Sequence, residues 1–369
     1  MPLVRFNDLG RIPHDEREEL LQAFSEILET GRFLFGPFSE RLEELLRVQV
    51  GAHGVTLVGN GTDALRVALM SVGVLHGDRV VTVANAGGYT SGVALSIGAT
   101  PVLVDVDAET AQIDPQSLTR ALDSGPKPAA IVVTHLYGQM APIVEIMAIA
   151  MAHGIPVIED VAQALGAEIP EGRAGSFGAV ATTSFYPTKN LGSIGDAGAV
   201  FSSSEELRGR CARLAQYGWG SRYTVENLSG LNTRMDEIHA ATLCHRLAAL
   251  EKQNLKRREI FTRIRDAVPR PRQLIGSDNG SFVAHLAVMR TPKRAEDQSL
   301  LESSGIESAF HYPVPDHRQP AWQGLVETPV SLANTDLLTD QILSLPCFPM
   351  MTEPEIEQVV TAVQQLETV

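Results

Sequence analysis

Residues 55–69 read VTLVGNGTDALRVAL, and this stretch decides the fold. The apolar run Val55 to Val58 predicts a buried strand, Gly59-Asn60-Gly61-Thr62 a tight turn, and the three- and four-residue apolar spacing that follows a helix. Continuous apolar strands joined through helices build a parallel sheet covered on both faces. Working outward, the same grammar recurs at VVTVA (80–84), PVLVDV (101–106), AAIVVT (129–134), PVIED (156–160), AVATTSF (179–185) and AGAVFSS (197–203). The expected class is therefore α/β, a large domain with a mostly parallel seven-stranded sheet covered by helices. Two amphipathic helices within residues 15–50 open it. We place this domain at 1–245 and a smaller α+β domain at 246–369, with a long helix from about Met235 to Val268 crossing the boundary and an acidic helix, EPEIEQVVTAVQQLE, near the end.

Composition narrows the function. Thirty Lys and Arg stand against 44 Asp and Glu, a net charge of −14, and no polybasic block offsets it. Such a chain is a poor fit to nucleic acid or to an anionic membrane, so any anionic ligand must be held by local backbone amides and a few placed side chains. The three cysteines, Cys211, Cys244 and Cys347, are far apart and never in a CxxC arrangement, which encodes neither a disulfide framework nor a cysteine-rich zinc site. His239 and His245 are also wrongly spaced for a metal, and no HExxH occurs, so no catalytic metal is expected. With no apolar leader and no run of 18 or more apolar residues, the reading is a cytoplasmic protein.

Three segments carry chemistry. In TSFYPTKNLGSIGDAGA (183–199), Lys189 follows a strand and precedes a glycine-dense stretch, with Ser184 and Thr188 as nearby hydroxyls. Most lysines in loops are solvated; this one keeps company suited to a ligand. In PVIEDVAQALGA (156–167), Asp160 ends a predicted parallel strand, where open α/β sheets bind ligands, although an aspartate there also caps a following helix. A lysine able to form a Schiff base and an aspartate able to pair with a protonated pyridine nitrogen are together what pyridoxal phosphate chemistry requires. The turn at 59–62 then offers free amides and a positive helix end to a phosphate, without being a Walker loop or a GxGxxG.

Six ordered motifs, NGTDAL, THLYGQ (134–139), IEDVAQALGA, SFYPTKNLGSIGDAGA, LNTRMDEIHAA (231–241) and HYPVPDHRQPA (311–321), resemble the DegT- or StrS-type nucleotide-sugar aminotransferases, pyridoxal-phosphate enzymes of fold type I. The resemblance spans nearly the whole chain. It implies that Lys189 bonds the cofactor and shuttles a proton, that Asp160 holds the pyridinium nitrogen, and that Gln163 lies near the phenolic oxygen on the same helical face as Asp160. It further implies that Gly61, Thr62 and Ser184 cradle the phosphate, and that Asn232 reaches the phosphate of a partner subunit, so that a homodimer shares its sites. Where the family has an aromatic residue over the ring, this chain reads VANAGGYTSGVAL, and Tyr89 becomes the nominee. Tyr186, Tyr217, His311 and His317 are candidate substrate contacts.

The resemblance implies amino transfer from an amino acid, L-glutamate in the family, to a nucleotide-linked keto sugar. The segment QYGWGSRY (216–223) is similar to members acting at carbon 3 of a deoxy sugar. Amination of a keto-inositol is the alternative within the family, and a non-catalytic regulator the alternative outside enzymes. Lys189 argues against the dehydratase branch, which carries histidine there.

Overall fold

The computed structural model describes residues 2–366. Helices α1 (His14–Thr30) and α2 (Pro37–Val50) come first, each closed by a left-handed glycine, Gly31 and Gly51. Alternation follows: β1 (Gly54–Val58), α3 (Gly61–Ser71), β2 (Arg79–Val83), α4 (Tyr89–Ser96), β3 (Thr100–Val104), α5 (Pro115–Asp123), β4 (Ala130–Thr134), α6 (Ile143–His153) and β5 (Val157–Asp160). A short hairpin, β6 (Glu168–Ile169) and β7 (Gly172–Arg173), leads to β8 (Val180–Ser184), β9 (Gly198–Ser202) and α7 (Glu205–Ala215). A second hairpin, β10 (Trp219–Ser221) and β11 (Thr224–Val225), precedes α8 (Glu237–Leu247) and α9 (Leu250–Ala267). The chain ends with β12 (Gln273–Ile275), β13 (Ala287–Arg290), α10 (Arg294–Ser303), α11 (Ala333–Gln341), β14 (Ile342–Leu345) and α12 (Glu353–Gln364).

The seven-stranded sheet runs β1-β9-β8-β5-β4-β2-β3, and only β9 is antiparallel to its neighbours. Thr134, Asp160 and Thr182 lie in register across β4, β5 and β8, and Ser184, Gly198 and Val58 across β8, β9 and β1. The carboxyl ends of β4, β5, β8 and β1 thus share one edge, where an open sheet takes its ligand. One hydrophobic cluster fills the face shared with α2, α5, α6 and α8; a second, containing Leu65, Leu69, Val132 and Leu214, fills the face under α3 and α7.

The expected helix from Met235 to Val268 is two helices. Ala248 and Ala249 break it, Ala249 having ψ −4°, because its halves bury different faces. Helix α8 places Ala240 and Leu243 in the large cluster, whereas α9 places Ile260, Phe261 and Ile264 against the antiparallel sheet β12-β13-β14. Residue 245 lies inside α8. The amino-terminal segment belongs to this second core: Val4 bridges Ile306, and Arg11 pairs with Glu355 of α12 at 2.5 Å. This segment passes over the sheet edge that carries the site.

Candidate active site

A cavity of about 560 Å³ opens at the carboxyl edge of the sheet, and Asp160, Ser184, Lys189, Tyr89 and His311 line it. Phe185, fully buried just beyond β8, anchors the turn that carries Lys189, whose amide donates to the carbonyl of Tyr186 at 2.8 Å. Lys189 is half-buried, and the loss of water around its ammonium lowers its pKa to about 8, against the opposing pull of Asp160. A fraction of the amine is therefore neutral, and nucleophilic, near neutral pH.

Asp160 ends β5 and is 7% exposed. Residues 162–166 form turns rather than the expected helix, because Asp160 Oδ1 accepts from the amide of Ala162 at 3.0 Å and folds the chain back at once. Burial raises the Asp160 pKa, opposed by that amide, Lys189 and His135. A buried carboxylate of this kind calls for a cation. Beneath it, Glu159 and His135 form a fully buried pair. Burial would raise Glu159 too, but hydrogen bonds from His135 and from the amides of Gly178 and Gly175 outweigh it, and the pKa falls below the usual carboxylate value.

The start of α3 forms a corner of the cavity. Asn60 caps the helix by accepting from the amide of Asp63 at 2.8 Å, leaving the amides of Gly61 and Thr62 without an acceptor among the described residues. A Cβ at Gly61 would lie 2.6 Å from that of Ser184, so glycine is what lets the helix start approach β8. Thr183 Oγ1 lines the same cavity, buried and unpaired. The LNTR segment braces this corner from behind: Gly59 donates its amide to Thr233 Oγ1 at 2.9 Å, and that hydroxyl donates to Asp63 Oδ2 at 2.7 Å. Asn232 itself is exposed, bridges Gln216 through its backbone, and does not line the cavity of its own chain.

Gln163 is buried, and both ends of its amide are engaged. Its Oε1 accepts from the amide of Tyr137 at 2.7 Å, and its Nε2 donates to the hydroxyl of Tyr312 at 3.1 Å. Tyr312 was not anticipated from the sequence. It enters where the expected ring-facing aromatic is missing: a Cβ at Gly87 would sit 2.9 Å from Tyr312 Cζ, and one at Gly88 2.7 Å from the Trp322 ring. Tyr89, half of its surface exposed, lines the cavity edge-on to Tyr312 with ring centroids 6.1 Å apart.

Tyr186 and His311 line the cavity, and His311 is held by Ser344 Oγ at 2.9 Å. Burial and then the charge of Lys189 lower His311 to about 4, so it is neutral at pH 7. Tyr217 and His317, expected as substrate contacts, lie outside the cavity of this chain. Tyr217 stacks on Trp219 at 4.7 Å between α7 and the β10–β11 hairpin, and His317 bonds Asp336 at 2.9 Å. Besides Tyr312, sequence reasoning missed the His135–Glu159 pair, Arg257 and His285. THLYGQ and IED hold the first two residues but give no sign that they meet. Among the described residues no group of three His, Cys, Asp or Glu is arranged to hold a metal, and no helix is long and apolar enough to cross a membrane.

The sequence pattern of the DegT/DnrJ/EryC1/StrS aminotransferase family matches residues 14–364. A dTDP-3-amino-3,4,6-trideoxy-alpha-D-glucose transaminase of Streptomyces venezuelae is 35% identical, with 99% of this chain and 96% of that protein covered. A pleiotropic regulatory protein of Geobacillus stearothermophilus is also 35% identical, with 97% of each covered. The crystal structure of S. venezuelae DesV in complex with a ketimine intermediate superposes with a TM-score of 0.93 at 34% identity, covering 99% of this chain and 98% of that one.

Proposed function

The chain belongs to the DegT/DnrJ/EryC1/StrS aminotransferase family, and from that premise we propose that it moves an amino group from L-glutamate to the ketone of a nucleotide-linked 3-keto-6-deoxy sugar. It is a transaminase of a family that works with pyridoxal 5'-phosphate. The observation that carries the reading is the convergence of Lys189 and Asp160, from the ends of adjacent strands, on one cavity.

The residues present fit the cofactor. Asp160 would face the ring nitrogen, its buried carboxylate gaining the cation it lacks. The unclaimed amides of Gly61 and Thr62, with the hydroxyls of Ser184 and Thr183, would hold the phosphate at the positive end of α3. Tyr89 or Tyr312 would border the ring, and Gln163 would fix Tyr312. When bound, pyridoxal phosphate supplies a carbonyl that can hold an amine and an electron sink for a carbanion.

The protein supplies the rest. Lys189 Nζ would hold the cofactor between turnovers and, when free, would take and return the proton at the carbon that bears the nitrogen. Asp160 would keep the ring nitrogen protonated. The wall of Leu345, Cys347 and Leu286 limits water around the reacting bond. Across the full cycle the donor leaves as its keto acid, and the sugar exchanges its carbonyl oxygen for the amine.

The site is completed by a second copy in this reading. Asn232 follows the β10–β11 hairpin, and Tyr223, Val225 and Leu228 on and just after that hairpin are exposed, a surface suited to burial against a partner. The large unit, 1–245, would hold the cofactor, and the smaller one, 246–369, against which the first residues of the chain pack, would supply the opposite wall through Arg257, His311 and Tyr312. The regulatory name of one relative leaves a second reading in which the fold binds without turnover. Incubating the loaded protein with glutamate and a panel of nucleotide-linked 3-keto and 4-keto sugars tests the choice. Amine appearing on a 3-keto sugar supports the proposal; amine only on a 4-keto sugar, only on a keto-inositol added to the panel, or on nothing, removes it.

A further inference from the structure

Two arginines are fully buried among the described residues, Arg257 at 5% exposure and Arg272 at 4%. The protein treats them differently. Arg272 is gripped by both oxygens of Asp297, each at 2.7 Å, as a buried guanidinium should be. Arg257, on α9, has no carboxylate. Its Nη1 donates to the carbonyls of Cys347, at 2.7 Å, and His285, at 3.4 Å, while Nε is buried without an acceptor and Nη2 has none among the described residues.

The groups packed around Arg257 do not neutralise it. Lys189 lines the same cavity and brings no negative charge to it. The His285 ring is neutral: Asn190 commits its amide nitrogen to Asn254 and the carbonyl of Val283, so its Oδ1 accepts from His285 Nδ1 at 2.9 Å, and burial holds the histidine pKa well below its ordinary value. Cys347 is a thiol, its pKa raised to about 11 by burial. Asp160 and Asp196 are this cavity's carboxylates, and Asp8 and Glu16 line a smaller one that Arg257 also borders; none pairs with Arg257 within 4.0 Å, Asp8 being held by Arg11 and Glu16 by Arg246. One wall of the cavity therefore carries an unbalanced buried cation with its fork of donors largely unspent. The cradle assigned to the phosphate lies at the start of α3, on other elements.

We propose that Arg257 is the carboxylate anchor of the amino-acid donor, holding the donor's acid group against the α9–β14 wall so that its amine faces Lys189. This rests on the aminotransfer reading. A planar guanidinium matches a carboxylate through two parallel hydrogen bonds, which fixes orientation as well as charge. The keto sugar, lacking that carboxylate, would use the remaining walls.

The test is calorimetric titration of the cofactor-loaded protein with glutarate, an unreactive dicarboxylate, and separately with thymidine diphosphate. Arg257→Met should weaken glutarate at least ~30-fold, the loss that follows truncation of a buried charged anchor, and leave the nucleotide within about twofold. If the Met variant does not fold, Arg257→Lys keeps the charge and loses the fork, and about tenfold weaker glutarate binding is expected. Unchanged glutarate binding in a folded variant overturns the proposal, as does loss confined to the nucleotide. The wild-type protein separates this from the broader reading: if its visible spectrum ignores glutamate, aminotransfer from that donor fails, whereas a wild-type response retained in full by the variant sinks the anchor alone.

Discussion

His135 donates from Nε2 to Glu159 Oε2 at 3.0 Å, with both side chains fully buried. The proton's place follows from the other nitrogen, since Nδ1 accepts from the amide of Ala141 at 3.0 Å. Glu159 also accepts from the amides of Gly175, Phe177 and Gly178, at 2.9, 2.7 and 2.8 Å. A carboxylate supplied by four donors stays ionised in the core and ties β4, β5 and the approach to β8 together directly beneath Asp160.

Removing that anion strands its donors. Glu159→Ala should lower unfolding free energy by about 3–5 kcal/mol in urea titrations, and Glu159→Gln, which keeps shape and one acceptor, by less. The Gln variant should still fold and should bind the cofactor more weakly, because Asp160 loses its support. Equal stability of Glu159→Ala and wild type would contradict this account.

Lys189, lowered to about 8 chiefly by burial, gives a pH profile with a definite sign. The neutral amine grows as pH rises, so the rate at which cofactor-free protein captures pyridoxal phosphate should climb through about pH 8 and level off above it. Stopped-flow absorbance from pH 6 to 10 reads this directly. Between about 8 and the ordinary lysine value of 10.5 the unfolded chain binds more protons than the folded one, so the cofactor-free protein should also gain stability with rising pH in that window. A midpoint above 10 would show that the amine is solvated.

Gly87 sits at φ 76° with Tyr312 close enough to forbid a Cβ. Gly87→Ala should cost about 1–3 kcal/mol from the left-handed backbone and the collision together, and should weaken cofactor binding. Pairing it with Tyr312→Ala removes the collision with Tyr312 but neither the backbone strain nor the 3.0 Å approach to Tyr89 Cε2. The double variant should therefore be more stable than the sum of the two single losses predicts, as thermal melts of all four proteins would reveal.

Asp316 is 2% exposed, accepts from the Ser91 hydroxyl at the start of α4, and leaves Oδ1 unpaired. Burial raises it to about 7 from an ordinary 3.8, so the folded chain keeps a proton that the unfolded chain has shed. Stability should fall as pH rises from about 4 to 7, by at most ~4 kcal/mol for a shift of this size. Asp316→Asn should flatten that stretch. Urea midpoints at pH 5 and 8 that differ equally in both proteins would refute the assignment.

The seven strands were legible because each is a continuous apolar run, the mark of a sheet buried on both faces. That Lys189, Asp160 and the 59–62 turn meet at one cavity could be expected from the six motifs taken together, since each alone also reads as a loop lysine, a helix cap or an ordinary turn. Other features depend on contacts that no local pattern encodes. Tyr312 reaches Gly87 from the far end of the chain, and the two glycines read only as a missing aromatic. Ala248 and Ala249 are good helix formers, so the break between α8 and α9 follows from the two cores they serve. Arg257, inside LKRRE, looks like any solvated helix arginine until α9 is packed.

The most direct test of the central claim is the visible absorption spectrum of wild type and Lys189→Ala, each reconstituted with pyridoxal phosphate, before and after L-glutamate. The account predicts a yellow lysine-linked band in wild type that collapses to the pyridoxamine band with glutamate, and no such band in the variant. A wild-type protein that forms no band, or a variant that forms the same one, would contradict it.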